Sequence, residues 1–233
     1  MAGVSIRKSI RWLPDPASEP TSTIVLSSAE RRFVDIRILK PENGGLQDQK
    51  EHLNLKQLDW AIAGTSSSVE TAPGVKLSTF HHWIDSRTVD VEAATDAGYM
   101  SPMDPDGEDE LVLEKGNMVN PETGSPTDYE EIWIEKELSP VPGDEASQIV
   151  VLDFDQGAHR RGRIVRVGTR CQGLLRSEDE IAAERWEWTA EKGWSRSHLI
   201  GRDGALPCAK FLDSPVGDTI THDGITWNVV ERS

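Results

Sequence analysis

The feature that most limits what this chain can fold into is the spacing of its apolar residues. They recur at every second position in short runs, and Gly, Pro, Asn or Asp interrupts the runs at intervals of about eight to twelve residues. Alternation of that period sends successive side chains to opposite faces of a strand, so each run reads as a β-strand with one dry face. Helical periodicity is scarce. Over 32–38, Val34, Ile36 and Ile38 share one face, and Phe33, Asp35 and Arg37 share the other. Further strands are predicted over 23–27, 58–63, 77–85, 110–114 and 129–137, and then over 148–154, 162–168, 170–176, 185–189 and 194–200. The clearest element is a hairpin, in which 219–222 and 225–230 flank Asp223-Gly224, a dipeptide that accepts the positive φ values of a type I′ turn. Ser177, followed by Glu178, Asp179 and Glu180, has the form of a capping box and predicts a turn or two of helix over 181–183.

Between the two groups of strands lies Leu138-Ser139-Pro140-Val141-Pro142-Gly143-Asp144. Its prolines cannot donate to a ladder and its glycine frees the backbone, so a linker is expected over 139–146, with one domain at 1–138 and a second at 147–233. Each half carries about six or seven short strands and ends on a Trp-bearing strand, Trp133 in the first and Trp227 in the second. Sheets of this size avoid exposed edges by closing into barrels or by pairing as sandwiches.

The formal charge of -15 repels phosphate backbones and anionic lipid, so neither nucleic acid nor a membrane surface is an expected partner. No run approaches the roughly 20 apolar residues of a membrane span, and Met1 to Leu13 carries Arg7, Lys8 and Arg11 with no apolar stretch behind them. Two cysteines, Cys171 and Cys208, and no Asn-x-Ser/Thr acceptor fit a reducing compartment, the cytosol first and the nucleus second.

Phosphate-cradling glycine loops, a Gly-x-Ser-x-Gly elbow, His-Glu-x-x-His and Cys-x-x-Cys are all missing from the sequence, so nucleotide, serine hydrolase, zincin and thioredoxin chemistries are not expected, nor is a metal or a cofactor. The segment 104–110 superficially suggests a calcium loop, but Gly107 stands at its fourth position where an EF-hand needs glycine at the sixth, and a solvated loop is the plainer reading.

The candidate site residues are polar or aromatic side chains on strand faces. In 81–85, strict alternation puts His82 and Ile84 on one face and His81, Trp83 and Asp85 on the other, with His82 the expected hydrogen-bond donor or proton shuttle, or else a satisfied rim histidine. If the Phe33 face lines a barrel, Asp35 and Arg37 form a buried pair able to orient a polar ligand group; otherwise they are a solvent-facing pair. Arg170 and Gln172 offer donors in the second half, while Trp60, Trp83, Trp133, Trp186 and Trp188 offer walls or, equally, core. His159-Arg160-Arg161-Gly162-Arg163 is a basic cluster suited to a hairpin tip or to an acidic partner.

Several segments, Leu58-Asp59-Trp60-Ala61-Ile62-Ala63-Gly64-Thr65, His82-Trp83-Ile84-Asp85, Tyr129-Glu130-Glu131-Ile132-Trp133, 167–175 and 223–231, resemble the fungal Hri-type proteins, named for interaction with a casein-kinase-I-type protein kinase. The resemblance runs over nearly the whole chain and implies an all-β fold of two antiparallel lipocalin- or calycin-like barrels in tandem with few short helices. It carries no catalytic motif. Related calycin-like barrels in fungal natural-product pathways act as cofactor-free cyclases and pericyclases, so by analogy one barrel is expected to enclose an apolar small molecule, with His82 and Arg37 as catalytic candidates. Phe33, Asp35, Trp60, Trp83, Trp133, Arg170, Gln172, Trp186 and Trp188 are then the expected ligand contacts. The rival expectation is a non-catalytic interaction protein whose barrels are filled by their own side chains and whose acidic surface or basic hairpin engages a kinase of that type or another cytosolic partner.

Overall fold

The structure is a computed structural model that describes residues 2–41, 51–93, 96–107, 109–144, 148–208 and 214–233. Its strands are β1 (Gly3–Trp12), β2 (Thr21–Ser27), β3 (Arg32–Leu39), β4 (His52–Leu53), β5 (Leu58–Ala72), β6 (Val75–Asp85), β7 (Ala97–Pro102), β8 (Glu110–Val119), β9 (Pro126–Lys136), β10 (Ile149–Asp155), β11 (Arg160–Val167), β12 (Arg170–Ser177), β13 (Glu180–Thr189), β14 (Gly193–Ile200), β15 (Thr219–His222) and β16 (Ile225–Arg232). Among the described residues the helical content is two short 3-10 turns, at Leu55–Gln57 and Val91–Ala93.

The first sheet is a closed antiparallel barrel in the order β1-β2-β3-β5-β6-β7-β8-β9, sealed where β9 pairs back onto β1 from Val4↔Lys136 to Trp12↔Tyr129. The second sheet runs β15-β16-β10-β11-β12-β13-β14-β4 and wraps an apolar cluster that includes Leu152, Phe154, Ile164, Leu175, Ile220 and Trp227. Its last strand, β4, comes from the first half of the chain and runs parallel to Leu199 and Ile200. The all-β, calycin-like expectation therefore holds, with closure complete in the first sheet. The Asp223-Gly224 hairpin forms as read, with φ of 51° and 73° at its two turn residues.

β3 shows how the halves join. Val34, Ile36 and Ile38 point out of the barrel and meet Val165, Val167 and Leu174 of the second sheet, while Phe33, Asp35 and Arg37 point into the barrel. Polar side chains stitch the seam between the two apolar faces. Gln172 donates to the carbonyls of Ile24 (3.0 Å) and Val34 (2.9 Å), and Arg185 donates to Ile36 O, Ser22 Oγ and Gln172 Oε1, each at 2.9 Å. A strand carbonyl has two lone pairs and the ladder uses one, so such bonds add to the sheet without breaking it. Across the same seam, the buried Glu231 carboxylate accepts from Ser28 Oγ at 2.6 Å and from the Glu30 amide at 2.9 Å.

One local reading changes. Residues 181–183 are strand, not helix: Glu178 takes a φ of 56° in the turn, and Ser177 pairs with Glu180. Ile181 and Ala183 are buried against the first barrel and Ala182 against the second-sheet core, so both strand faces are dry and the period-two signal vanishes. The described part of the linker is docked: Val141 is buried, Ser139 O accepts from Thr169 N at 3.0 Å, and Asp144 lies 2.6 Å from Arg166. The N-terminal residues form strand β1, and 97–102 form β7; neither had been expected as strand.

Candidate functional site

The interior of the first barrel is unusually polar. Arg7 from β1, Asp35 and Arg37 from β3, Glu114 from β8 and Tyr129 and Glu131 from β9 are all buried there, because each sits on the inward phase of its strand. Buried charge is tolerated when it is paired, and the pairing here is dense. Arg7 contacts Glu131 at 2.5 Å and Glu19 at 2.9 Å and donates to Thr21 Oγ1 at 2.7 Å. Arg37 donates from Nε to Asp35 Oδ2 at 2.9 Å, with Nη2 2.9 Å from the same oxygen and Nη1 3.8 Å from Glu131.

A β-bulge places the histidine. Along β5 and β6, Ala63 pairs with Ile84 and Gly64 with His82, so Trp83 is the extra residue and strict alternation fails. His82 and Asp85 consequently meet on one face instead of opposing faces, and Trp83 and Ile84 turn outward into the seam between the sheets. The His82 ring lies 3.0 Å from Asp85 at Nδ1 and 3.0 Å from Asp96 at Nε2, and Trp60 Nε1 donates to Asp85 at 2.9 Å. Burial pulls the imidazole pKa down, but the two carboxylate hydrogen bonds and charges outweigh it and bring it up to about 9. At neutral pH His82 is therefore a cation with both nitrogens engaged as donors.

Glu114 behaves oppositely. Tyr129 Oη donates to it at 2.8 Å and Trp133 Nε1 at 2.9 Å, yet burial and the neighbouring Glu131 and Asp96 raise its pKa to about 8. Burial raises Glu131 as well, against the pull of Arg37 and Arg7. The interior thus holds a neutral acid beside paired charges.

Two neighbouring spaces follow from this packing. An interior cavity of about 40 Å³ lies among Phe33, Asp35, Arg37, Trp60, Phe80, Asp96, Glu114, Tyr129 and Trp133. Above it, at the barrel mouth, a cleft of about 550 Å³ has an apolar rim of Ile10, Trp12, Pro20, Leu39, Val119 and Pro121 over a floor of Arg7, Arg37, Trp60, His82 and Asp96. Arg37, Trp60, Asp96 and Met118 line both spaces. Trp60 is clamped between guanidinium groups, with Arg37 5.0 Å and Arg87 4.4 Å from its ring centre. A single water needs roughly 10–15 Å³ by this kind of measure, so the cavity admits a small group, and the cleft lies within the several-hundred-Å³ range of small-molecule sites.

Of the expected site residues, Phe33, Asp35, Arg37, Trp60, His82 and Trp133 come together around these two spaces. The others lie elsewhere. Trp83 faces the second sheet beneath Arg161 and Arg163, whose guanidinium carbons lie 5.4 and 4.7 Å from its ring centre, which also accounts for two of the four basic residues in the 159–163 cluster. Gln172 is a seam residue, and Arg170 pairs with Glu187 at 3.0 Å. Trp186 packs on the second-sheet core and donates to Glu184 at 2.6 Å, while Trp188 stands opposite Trp194. Sequence reasoning missed Arg7, Glu114, Tyr129 and Glu131, although Tyr129, Glu131 and Trp133 do alternate on one strand face; acidic positions read as solvent-facing.

A closed antiparallel barrel with a charged interior, packed through its outer face on a second β-sheet, defines a tandem calycin-like β-protein. The chain belongs to the family described as Protein HRI1, whose model matches residues 3–231. A solved structure, that of the uncharacterized protein YLR301w from Saccharomyces cerevisiae, superposes with a TM-score of 0.77 at 18% identity, covering 100% of this chain and 99% of that one; at that identity it supports the fold alone. No curated protein matches the chain. No helix among the described residues is long and apolar enough to cross a membrane.

Proposed function

We propose that the first barrel is a small-molecule-binding site, with the apolar body of the ligand in the mouth cleft and its polar end directed at the floor. The observation that carries this is the cleft of about 550 Å³, whose apolar rim stands over side chains already fixed by one another: Trp60 by Asp85, His82 by Asp85 and Asp96, Arg37 by Asp35. A site needs that fixity to orient a ligand without ordering its own residues first. The floor supplies the Arg37 guanidinium, the positive charge of protonated His82 and, deeper, a neutral acid in Glu114, but no nucleophile. Such a set suits holding and polarising a substrate, so a cofactor-free cyclisation is the catalytic extension of this reading.

One observation favours the non-catalytic alternative, a protein that binds a kinase or another partner: the enclosed space is only about 40 Å³, so side chains nearly fill the barrel. The cleft decides between them. Val119 stands exposed on its rim, and Val119→Trp should fill the cleft without touching the core. Calorimetric titration with n-octanol, n-octylamine and octanoate should show saturable binding of at least one probe, lost in the variant. Absence of binding by all three, or binding unaltered by Val119→Trp, refutes the ligand site and leaves the interaction protein.

A further inference from the structure

We infer that the first-barrel cavity receives a primary ammonium group, so that the ligand of the cleft is an amphipathic amine whose cationic head hydrogen-bonds to Asp35. This rests on the ligand-site reading above and specifies its ligand. The argument is one of supply and demand among buried polar atoms. Six carboxyl groups, those of Asp35, Asp59, Asp96, Glu114, Glu122 and Glu131, line the cavity and cleft against four cations, Arg7, Arg37, His82 and Arg87. Every one of those cations is already engaged, and at the rim Arg87 is held 3.1 Å from Asp59. An anionic head would therefore have to share cations already committed to carboxylates.

A vacant acceptor does exist. Asp35 is 4% exposed and lines the cavity; both guanidinium contacts go to its Oδ2, and its buried Oδ1 accepts no hydrogen bond. Leaving a buried carboxylate oxygen unsatisfied is costly, so a donor entering the cavity is favoured, and a charged donor most of all. The surroundings agree. Glu114 is pressed toward its neutral form chiefly by burial and then by the Glu131 and Asp96 charges, so part of its shift comes from neighbouring negative charge. Phe33, Phe80, Tyr129 and Trp133 complete the wall, and aromatic faces attract cations. About 40 Å³ accommodates an ammonium head but not a ring. Among the described residues no group of three His, Cys, Asp or Glu side chains is arranged to hold a metal ion. The tail of the amine then exits past Met118, which lines both spaces, to the apolar rim.

The test is isothermal calorimetry on the full chain at neutral pH and physiological salt with n-octylamine, n-octanol and octanoate, which share a tail and differ in head. The amine should bind about tenfold or more tightly than the alcohol, with octanoate weakest, and Asp35→Asn should bring the amine down to the level of the alcohol. Equal affinity of amine and alcohol, or octanoate as the tightest ligand, overturns the inference while leaving the cleft a lipophilic site; no binding by any probe removes both. Amine binding that survives Asp35→Asn and disappears with added salt marks attraction to the anionic surface and also overturns it. The head-group order on the unaltered chain decides the matter should Asp35→Asn fail to fold.

Discussion

Glu114 is a buried group whose charge state the fold holds away from that of the free side chain, and Glu114→Gln isolates what this costs. In the native barrel its carboxyl stays protonated up to about pH 8, because burial and the Glu131 charge oppose ionisation, whereas the unfolded chain releases the proton near 4.5. A raised acid pKa stabilises the fold fully below the unfolded value and loses that contribution as pH climbs to the folded one. At about 1.4 kcal/mol per pH unit, the wild type gives up roughly 3 kcal/mol by pH 7 and about 5 by pH 8, and little more beyond. Glutamine is neutral throughout and similar in shape. Its carbonyl can accept from Trp133 Nε1, and its amide can donate to Tyr129 Oη, which accepts as well as donates. The variant should match the wild type near pH 4.5 and exceed it by about 3 kcal/mol at pH 7. Urea unfolding followed by tryptophan fluorescence and far-UV circular dichroism, repeated across that range, measures the difference directly. Parallel profiles, or a variant less stable than wild type at pH 7, refute the assignment of Glu114 as a buried neutral acid.

Two further substitutions probe the frame. Arg185→Met keeps the aliphatic stem but strips donors from Ile36 O, Ser22 Oγ and Gln172 Oε1, which should cost about 3 kcal/mol at the seam; an unchanged melting temperature in calorimetry would show that the seam is held by its apolar contacts alone. Gly64→Ala puts a Cβ 1.9 Å from the His81 carbonyl, a backbone clash at the bulge, and should lower the unfolding free energy by more than about 2 kcal/mol in urea titration while weakening ligand binding through His82; wild-type stability would mean the bulge relaxes freely.

Much of this architecture was legible from local pattern. The alternation in 32–38 correctly grouped Phe33, Asp35 and Arg37, and Asp223-Gly224 announced its hairpin, because both depend on backbone geometry that a few residues decide. Alternation also misled where a neighbour intervened. His82 and Asp85 should oppose each other by count, yet the bulge at Trp83 turns them together. Residues 181–183 lost their strand signal because the partner sheet dries their second face.

The chain by itself determined that it would be strands, where most of them turn, and which side chains travel together on a face, since these follow from period and turn chemistry within a few residues. Only tertiary structure decided which face became the inside. In β3 the apolar face turns outward and the charged face inward, because the second sheet offers Val34, Ile36 and Ile38 an apolar surface while Arg7, Glu131 and their neighbours, distant in sequence, bring the countercharges that let Asp35 and Arg37 be buried.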